Sequence, residues 1–599
     1  MEYSHKELQD ELALLPRGSI SHKTINGKER TYLQWRDEEG KTRSRYLKQS
    51  EVPEYETKIK RRRELEKQLK EQERAGTAGS RPHTEFFTGV LIGRALGFAA
   101  EPVKKFRTRD CFGRLADYLQ NDQRGRICIL YGLRRTGKTT MLFQAINRLP
   151  LAETAYIKIK TSDNMSSLTK DLETLYNNKF KYVFIDEITL LEDFIDTAAV
   201  LSDIFSMMGM KIVVSGTDSL GFAMADRSEL YDRNIMIHTS FIPFREYARL
   251  LDIHSVDTYI EYGGTLKIEN MGPGDPDSRM EEVSFRDDES TRKYIDTAIS
   301  RNIQHTLKND RYGSNFHHLR ELYEAGELSN VINRIVESMN HEFLVSVITE
   351  RFKSHDLGSA KQLLLHDAPA ARSHILYDIN GEEVLQRLKA IIDIREREET
   401  SVEISGETLN QVKQYLVTLD LIRKMEIVYD DGTRGEYIIF TQPGMRYSIA
   451  KALVYSLMQD AYFNSMSRED TDYITAKILD DVKGRMLEDM IWLETDMACS
   501  RKDAVFKYRF LAGGEFDLVH FFGDTYRCKA YEVKHSTQAV PEKQARYLRN
   551  AEMTGALEKR YGPLEERCVI YRGPEQWING IHYINAEEYL ERLAPEKAY

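Results

Sequence analysis

The chain has 599 residues, 41% of them apolar and 30% charged, with a formal net charge of −10 at pH 7. That length exceeds what a single hydrophobic core organises, so several domains are expected. The acidic balance excludes a global attraction to nucleic acid; such a contact has to use local basic patches. Five scattered cysteines, Cys111, Cys128, Cys499, Cys528 and Cys568, show no CxxC spacing, so neither a disulfide framework nor a zinc site is indicated. The N-terminal MEYSHKELQDELALL is too charged for a signal peptide. The apolar stretch 86–100 is short and carries Arg94, so it reads as a buried helix and not a membrane span. The expectation is a soluble protein of the reducing cytoplasm with no membrane partner.

In chain order, residues 1–80 form a first small basic unit. Short alternating strands over Ser19–Leu47 turn at Asn26-Gly27 and Glu38-Glu39-Gly40. A Lys/Arg/Glu-rich helix follows over Tyr55–Glu73, with Ile59, Leu65 and Leu69 at helical spacing. Arg61-Arg62-Arg63 on this helix reads as a solvated face in preference to a phosphate-contacting patch. Ala75–Ser80 is a linker by composition. The layout resembles a small domain of unknown function found in prokaryotic proteins.

The stretch ICILYGLRRTGKTTML carries the strongest chemistry. Ile127–Tyr131 predicts a buried strand, and Met141 onward predicts a helix. Between them lies a complete GxxxxGK[ST] loop, with Gly132, Arg135, Thr136, Gly137, Lys138, Thr139 and Thr140. The glycines let backbone amides converge on phosphate oxygens. Lys138 reaches the β- and γ-phosphates, Thr139 ligates Mg²⁺, and the helix start adds partial positive charge. ATP with Mg²⁺ is therefore the expected ligand. Further strands are read at Ala155–Lys160 and Lys181–Glu187, the second delivering Asp186 to Mg²⁺ and Glu187 to the attacking water. Lys211–Thr217 ends in small polar residues that either sense the γ-phosphate or cap the next turn.

GLRRTGKTTML, YVFIDEI, VVSGTDSL, LYDRNIMI, FIPFREY and EYGG together resemble a prokaryotic ATPase family joined to a domain of unknown function, related to archaeal ATPases of the AAA+/STAND group. The resemblance covers about Pro102–Gly264 and implies a P-loop NTPase with a parallel-sheet core, placed at 100–265. It further implies that Arg233 acts as an arginine finger toward a neighbouring subunit of a homo-oligomer. Asp232 stands where that family has Gly, and an ordinary salt-bridging surface arginine is the other reading.

Met271–Ser290 reads as a loop, and 285–375 as a helical region. Within 380–455, a helix over Glu407–Ile422 leads to possible wing strands at Met425–Val428 and Glu436–Phe440, a winged-helix pattern that the family resemblance supports. Such a domain either enters a DNA groove or serves as a packing module.

The last quarter, 480–595, holds a second constellation. Lys483–Leu493 predicts a helix bearing Glu488, Tyr508–Phe522 a hairpin bending at Gly513-Gly514-Glu515 with Asp517 opening its second strand, and Cys528–Val533 a strand running through Glu532 toward Lys534. A helix is read at Pro541–Asn550. This order resembles PD-(D/E)xK nucleases and implies a restriction-endonuclease-like α/β domain. Alternate strand positions put Glu532 and Lys534 on one face. Asp517 and Glu532, completed by Glu488, would hold Mg²⁺, while Lys534 would position or deprotonate the attacking water. The expectation is thus an α/β multidomain, Mg²⁺-dependent ATPase coupling turnover to DNA or other nucleic acid. The alternative is a nucleotide-gated switch whose nuclease-like domain is inert.

Overall fold

The structure, a computed structural model, describes residues 15–594 except 17, 26–27, 37–41, 49, 76–85, 192, 220, 223–224, 226–229, 267–284, 286, 301–315, 354–385, 388–389, 391–403 and 466. The expected turns at Asn26-Gly27 and Glu38–Gly40, the linker after Ala75 and most of the loop at 271–290 lie outside the described residues. The chain divides into two units, 1–85 and 86–599.

In the first unit, alternating sequence makes β1 (Ser19–Ile25), β2 (Lys28–Arg36) and β3 (Thr42–Leu47), an antiparallel sheet in that order. Leu33 and Leu47 pack with Ile59 of α1 (Val52–Ala75).

The second unit is built on two sheets. The stretch 86–100, expected as one helix, is split. Gly89–Ile92 forms strand β4, and Gly93, at φ +56, turns the chain into helix α2 (Gly93–Ala100). Such a positive φ is one that Gly adopts without a Cβ clash. After α3 (Phe112–Gln120) come β5 (Ile127–Tyr131), α4 (Lys138–Ile146), β6 (Thr154–Lys158), α5 (Met165–Asn177), β7 (Tyr182–Asp186), β8 (Lys211–Gly216) and β9 (Asn234–His238). The sheet order is β4-β6-β7-β8-β5-β9, parallel except for β4. Since β4 belongs to this sheet, the domain begins before residue 100. Its strands are apolar on both faces, as a parallel sheet covered by helices requires. Ile129, Ile185 and Val214 face one core; Cys128, Leu130, Phe184 and Val213 face the other, with Met141 and Leu142 of α4.

Helices α6 (Phe244–Leu251) and α7 (Val256–Tyr262) leave this sheet, followed by α8 (Asp288–Ile295), α9 (His317–Glu324), α10 (Leu328–Lys353) and α11 (Gly406–Thr418). Within the helical region read at 285–375, Gly326, φ +75, separates α9 from α10.

The second sheet has eight strands. β10 (Ile422–Tyr429) and β11 (Arg434–Phe440), the expected wing, precede α12 (Pro443–Met458) and α13 (Arg468–Ala498). Next come β12 (Ala504–Arg509), β13 (Glu515–Phe522), β14 (Arg527–Val533), α14 (Ala551–Tyr561), β15 (Leu564–Tyr571), β16 (Gln576–Ile578), β17 (Ile581–Asn585) and α15 (Ala586–Arg592). Their order is β11-β10-β12-β13-β14-β15-β17-β16. The wing therefore forms the edge of the C-terminal sheet through the parallel β10–β12 pair, and a boundary near 455–480 separates nothing. Parallel pairing unites segments far apart in sequence, which periodicity does not encode. The helix expected at Pro541–Asn550 stops at Gln544, because Asn550 accepts the amides of Glu552 and Met553 as the cap of α14.

Candidate functional sites

The phosphate loop leaves the C-terminal end of β5, between β8 and β9, the edge at which open α/β sheets bind ligands. Gly132 has φ +138, and a Cβ there would meet the Thr239 carbonyl oxygen at 2.4 Å; Gly137 has φ +87. Both positions demand glycine. Lys138 is 6% exposed and donates to the carbonyls of Gly132 (2.8 Å) and Leu133 (2.7 Å). Burial lowers its pKa to about 8. Thr136 is enclosed, donating to the Leu133 carbonyl and bonding the Thr239 hydroxyl, while the exposed Arg135 lies over the Tyr294 ring. Any part these two take in holding phosphate falls to their main-chain amides. Thr140 lines a small cavity with Gly137 and Gln144.

The Thr139 hydroxyl donates to Asp186 Oδ2 at 2.9 Å, so the two expected Mg²⁺ ligands are adjacent. Asp186 also accepts from Tyr156 (2.8 Å), Lys158 (2.9 Å) and Ser215. Burial opposes its ionisation, but Lys158 and the Ser215 hydroxyl hold its pKa below the usual carboxylate value. Glu187, at φ +59, turns out of β7 toward Thr217, whose hydroxyl is 3.4 Å away. Ser215 and Thr217 thus bring the small-polar strand to the carboxylates. Hard oxygen donors beside a phosphate loop fit Mg²⁺. Arg233 lies at the other edge: it precedes β9, its carbonyl accepts from Ile127 at the start of β5, and its guanidinium pairs with Asp203 at 3.0 Å. It is not part of this chain's own phosphate site. A depression of about 470 Å³ lined by Gln123, Arg148 and Lys211 also lies at that far edge, away from the chemistry.

Sequence reasoning missed what holds the loop from behind. Arg109, 4% exposed, donates to the carbonyls of Thr136 (2.9 Å) and Ser240 (3.1 Å) and forms a two-bond pair with Glu246 of α6 (3.0 and 2.7 Å). Only the charged residues in the otherwise apolar FIPFREY segment signalled it.

The second site lies between α13 and strands β12–β14. Asp517 Oδ2 accepts from the Val533 amide (2.8 Å) and from Lys534 (3.2 Å), which also reaches Glu532 Oε2 at 2.9 Å. Asp517, Glu532 and Lys534 therefore converge as the sequence suggested. Burial resists charge on Asp517, yet Lys534 and Lys507 hold it down at about 2; burial pushes Glu532 well above the carboxylate range. Glu532 Oε1 is buried and has no hydrogen-bond partner. An orphaned buried carboxylate oxygen beside an ionised Asp fits a hard divalent cation such as Mg²⁺. Glu488 is nearby but bonded to Arg485 (2.7 Å) and Lys507 (3.2 Å), two cations that the sequence reading did not identify. Glu515, read as a bend residue, belongs to the same cluster: oxygens of Glu488, Glu515 and Asp517 lie within 4.8 Å of one another.

Polar contacts, one of them buried, run between the helices that follow the first sheet and the C-terminal site. Glu494 on α13 accepts the Phe244 amide at the start of α6 (2.8 Å), and burial pushes its pKa up to about 8. His535, next to Lys534, bonds Asp257 of α7 (2.8 Å) and Asp480 of α13 (3.0 Å); Lys483 reaches Glu261 at 2.6 Å. Beside His535 lies a groove of about 790 Å³ flanked by Lys483, Lys543 and Arg572.

Residues 124–248 match the AAA domain family, and residues 1–57 match a domain of unknown function (DUF6788). An uncharacterized protein of Methanocaldococcus jannaschii is 26% identical over 203 residues, 31% of this chain and 44% of that protein. The chain therefore spans less than half the length of that relative. Among solved structures, AMPPCP-bound DnaA from Aquifex aeolicus is similar at 10% identity and a TM-score of 0.20, covering 65% of this chain and 96% of that one. The match over residues 124–248, with the phosphate loop and the sheet order, shows an AAA-type domain with a P-loop and a parallel-sheet core. Among the described residues, no helix is long and apolar enough to cross a membrane.

Proposed function

We propose that this chain hydrolyses ATP at the phosphate loop and uses the nucleotide cycle to control a phosphodiester-cleaving site formed by Asp517, Glu532 and Lys534. The observation that carries the reading is the orphaned Glu532 oxygen beside Asp517 and Lys534, in the same unit as a complete phosphate loop. In the ATPase half, amides of 132–140 cradle phosphates, and Lys138 leaves the Gly132 and Leu133 carbonyls to pair with them. Thr139 and Asp186 hold Mg²⁺, Glu187 orients water, and Ser215 and Thr217 position the two carboxylates. In the C-terminal half, Asp517 and Glu532 hold a divalent cation, and Lys534, 33% exposed, swings toward the attacking water. When bound, each Mg²⁺ supplies charge stabilisation at the transferring phosphorus. In the groove beside His535, Lys483 and Arg572 are paired with Glu261, Asp257 and Glu587, so Lys543 is the cation it would turn to a nucleic-acid backbone. Arg233, at the far edge of the sheet, would serve a neighbouring subunit's nucleotide in an oligomer.

A second reading is favoured by the charge balance at the C-terminal site, where Arg485, Lys507, Arg509 and Lys534 already face Glu488, Glu515, Asp517 and Glu532. On that reading the domain docks and does not cut.

The test is ATP turnover and DNA cleavage measured side by side in Mg²⁺ and Mn²⁺ for wild type, Lys138→Ala and Lys534→Ala. Turnover should fall by at least about 100-fold in Lys138→Ala. Cleavage should be lost in Lys534→Ala with turnover intact. Turnover without cleavage of DNA or RNA under every condition would leave the switch reading, and wild-type turnover by Lys138→Ala would remove the ATPase assignment.

A further inference from the structure

Lys507 occupies a place that no strand pattern predicts for a lysine. Its neighbours on β12, Phe506 and Tyr508, are both buried in the C-terminal core. Phe506 pairs with Val519 but Tyr508 pairs with Phe516, so Lys507 faces two residues of β13, Asp517 and Leu518. This is a β-bulge, the device by which a sheet re-aims side chains next to a site. It falls at Asp517 itself.

The Lys507 ammonium group stands 3.2 Å from Glu488, 3.1 Å from Glu515 and 3.9 Å from Asp517 Oδ1, and the side chain is 1% exposed. Those three carboxylates form the group whose spacing suits a metal ion. The cluster therefore offers two cation positions. The outer one, between Asp517 Oδ2 and Glu532, is covered by Lys534, whose side chain is 33% exposed and free to withdraw toward solvent. The inner one, among Glu488, Glu515 and Asp517 Oδ1, is filled by the ammonium group of a side chain that is itself buried. Glu532, the second carboxyl of the outer position, keeps a buried oxygen, Oε1, without a hydrogen-bond partner.

We infer that Lys507 is a built-in cation holding the inner position, so that the C-terminal site takes one divalent ion, at Asp517 and Glu532, where a site of four carboxylates would otherwise take two. Glu488 and Glu515 then serve as ligands of Lys507 and not of the metal. Lys507 is a positioning residue: it holds Asp517 Oδ1 and leaves Oδ2 to the outer position, and it supplies from the protein a positive charge that a second ion would bring. This inference rests on the metal-binding reading of the same site.

The test counts Mn²⁺ bound to the nucleotide-free full-length chain, by the electron paramagnetic resonance signal of the free ion, with Asp186→Asn present throughout to silence the phosphate-loop site. This reference protein should bind one Mn²⁺, and Asp517→Asn should abolish it. Lys507→Met should bind two, the first at least about tenfold more tightly because a close like charge is gone. Lys507→Arg should still bind one. Glu515→Gln, partly exposed and able to fold if Lys507→Met does not, should keep the single ion with little change in affinity. One ion in Lys507→Met, two in the reference, or loss of the ion in Glu515→Gln would each overturn the inference while leaving a metal site in place. No ion bound to the reference would overturn the metal reading and the inference together.

Discussion

Glu246 is the residue whose removal tests most directly how the phosphate loop is held. It is fully buried and accepts three hydrogen bonds, from Arg109 Nε at 3.0 Å, Arg109 Nη2 at 2.7 Å and the Asp110 amide at 2.7 Å. Glu246→Ala takes from Arg109, whose side chain is 3% exposed, the carboxylate that accepts two of its N–H bonds. Breaking such a buried pair from one side costs about 3–5 kcal/mol, a large share of the ~5–15 kcal/mol that stabilises a typical domain. Denaturant unfolding should show the loss in the transition of the AAA-type domain, since a chain of this size does not unfold in one step. Nucleotide affinity should fall about 10-fold or more, because the Thr136 carbonyl is no longer braced. The double variant Arg109→Met/Glu246→Leu separates the two effects. Replacing both charges by apolar groups should recover most of the stability. It should not recover affinity for a fluorescent ATP analogue, because the Thr136 and Ser240 carbonyls lose their donor. A single variant destabilised by less than about 1 kcal/mol, the worth of an ordinary hydrogen bond, would refute the claim that this pair organises the loop.

Two further outcomes follow from other contacts. Lys158 sits 2.9 Å from Asp186 and competes with a divalent cation for it, so Lys158→Met should lower the Mg²⁺ needed for half-maximal ATP turnover about threefold; a raised requirement would mean the lysine helps to hold the site. Glu494 is buried with its pKa moved from 4.5 up to about 8, so the folded chain retains a proton that the unfolded chain releases. Its contribution to stability is therefore greatest at low pH, declines as pH rises from the unfolded value through the folded one, and levels off above it. Glu494→Gln keeps an acceptor for the Phe244 amide and removes the titration. It should flatten the fall in melting temperature between pH 5 and 8.5, and equal slopes in the two proteins would exclude Glu494 as its source.

Much of the phosphate site was legible because its chemistry is local. The loop's glycines, Lys138 and Thr139 fall within eight residues, and a short apolar run ending in Asp186-Glu187 announces a buried strand by itself. Glu532 and Lys534 were readable as a pair because two strand positions apart means one face, whereas Glu488 and Asp517 followed from the resemblance to PD-(D/E)xK nucleases. Tertiary structure alone decided the remainder. Arg109 meets Glu246 across 137 positions, Lys158 meets Asp186 because parallel strands put them in register, and Arg233 falls at the far edge of the sheet from the loop. β10 joins β12 by parallel pairing, which turned an expected wing into part of the C-terminal sheet. Lys507 looked like any strand lysine until a bulge in β13 brought Asp517 opposite it, beside Glu488 and Glu515. Local pattern specifies which groups a strand or loop presents, while register, bulges and long-range ion pairs depend on packing between segments that the linear order keeps apart.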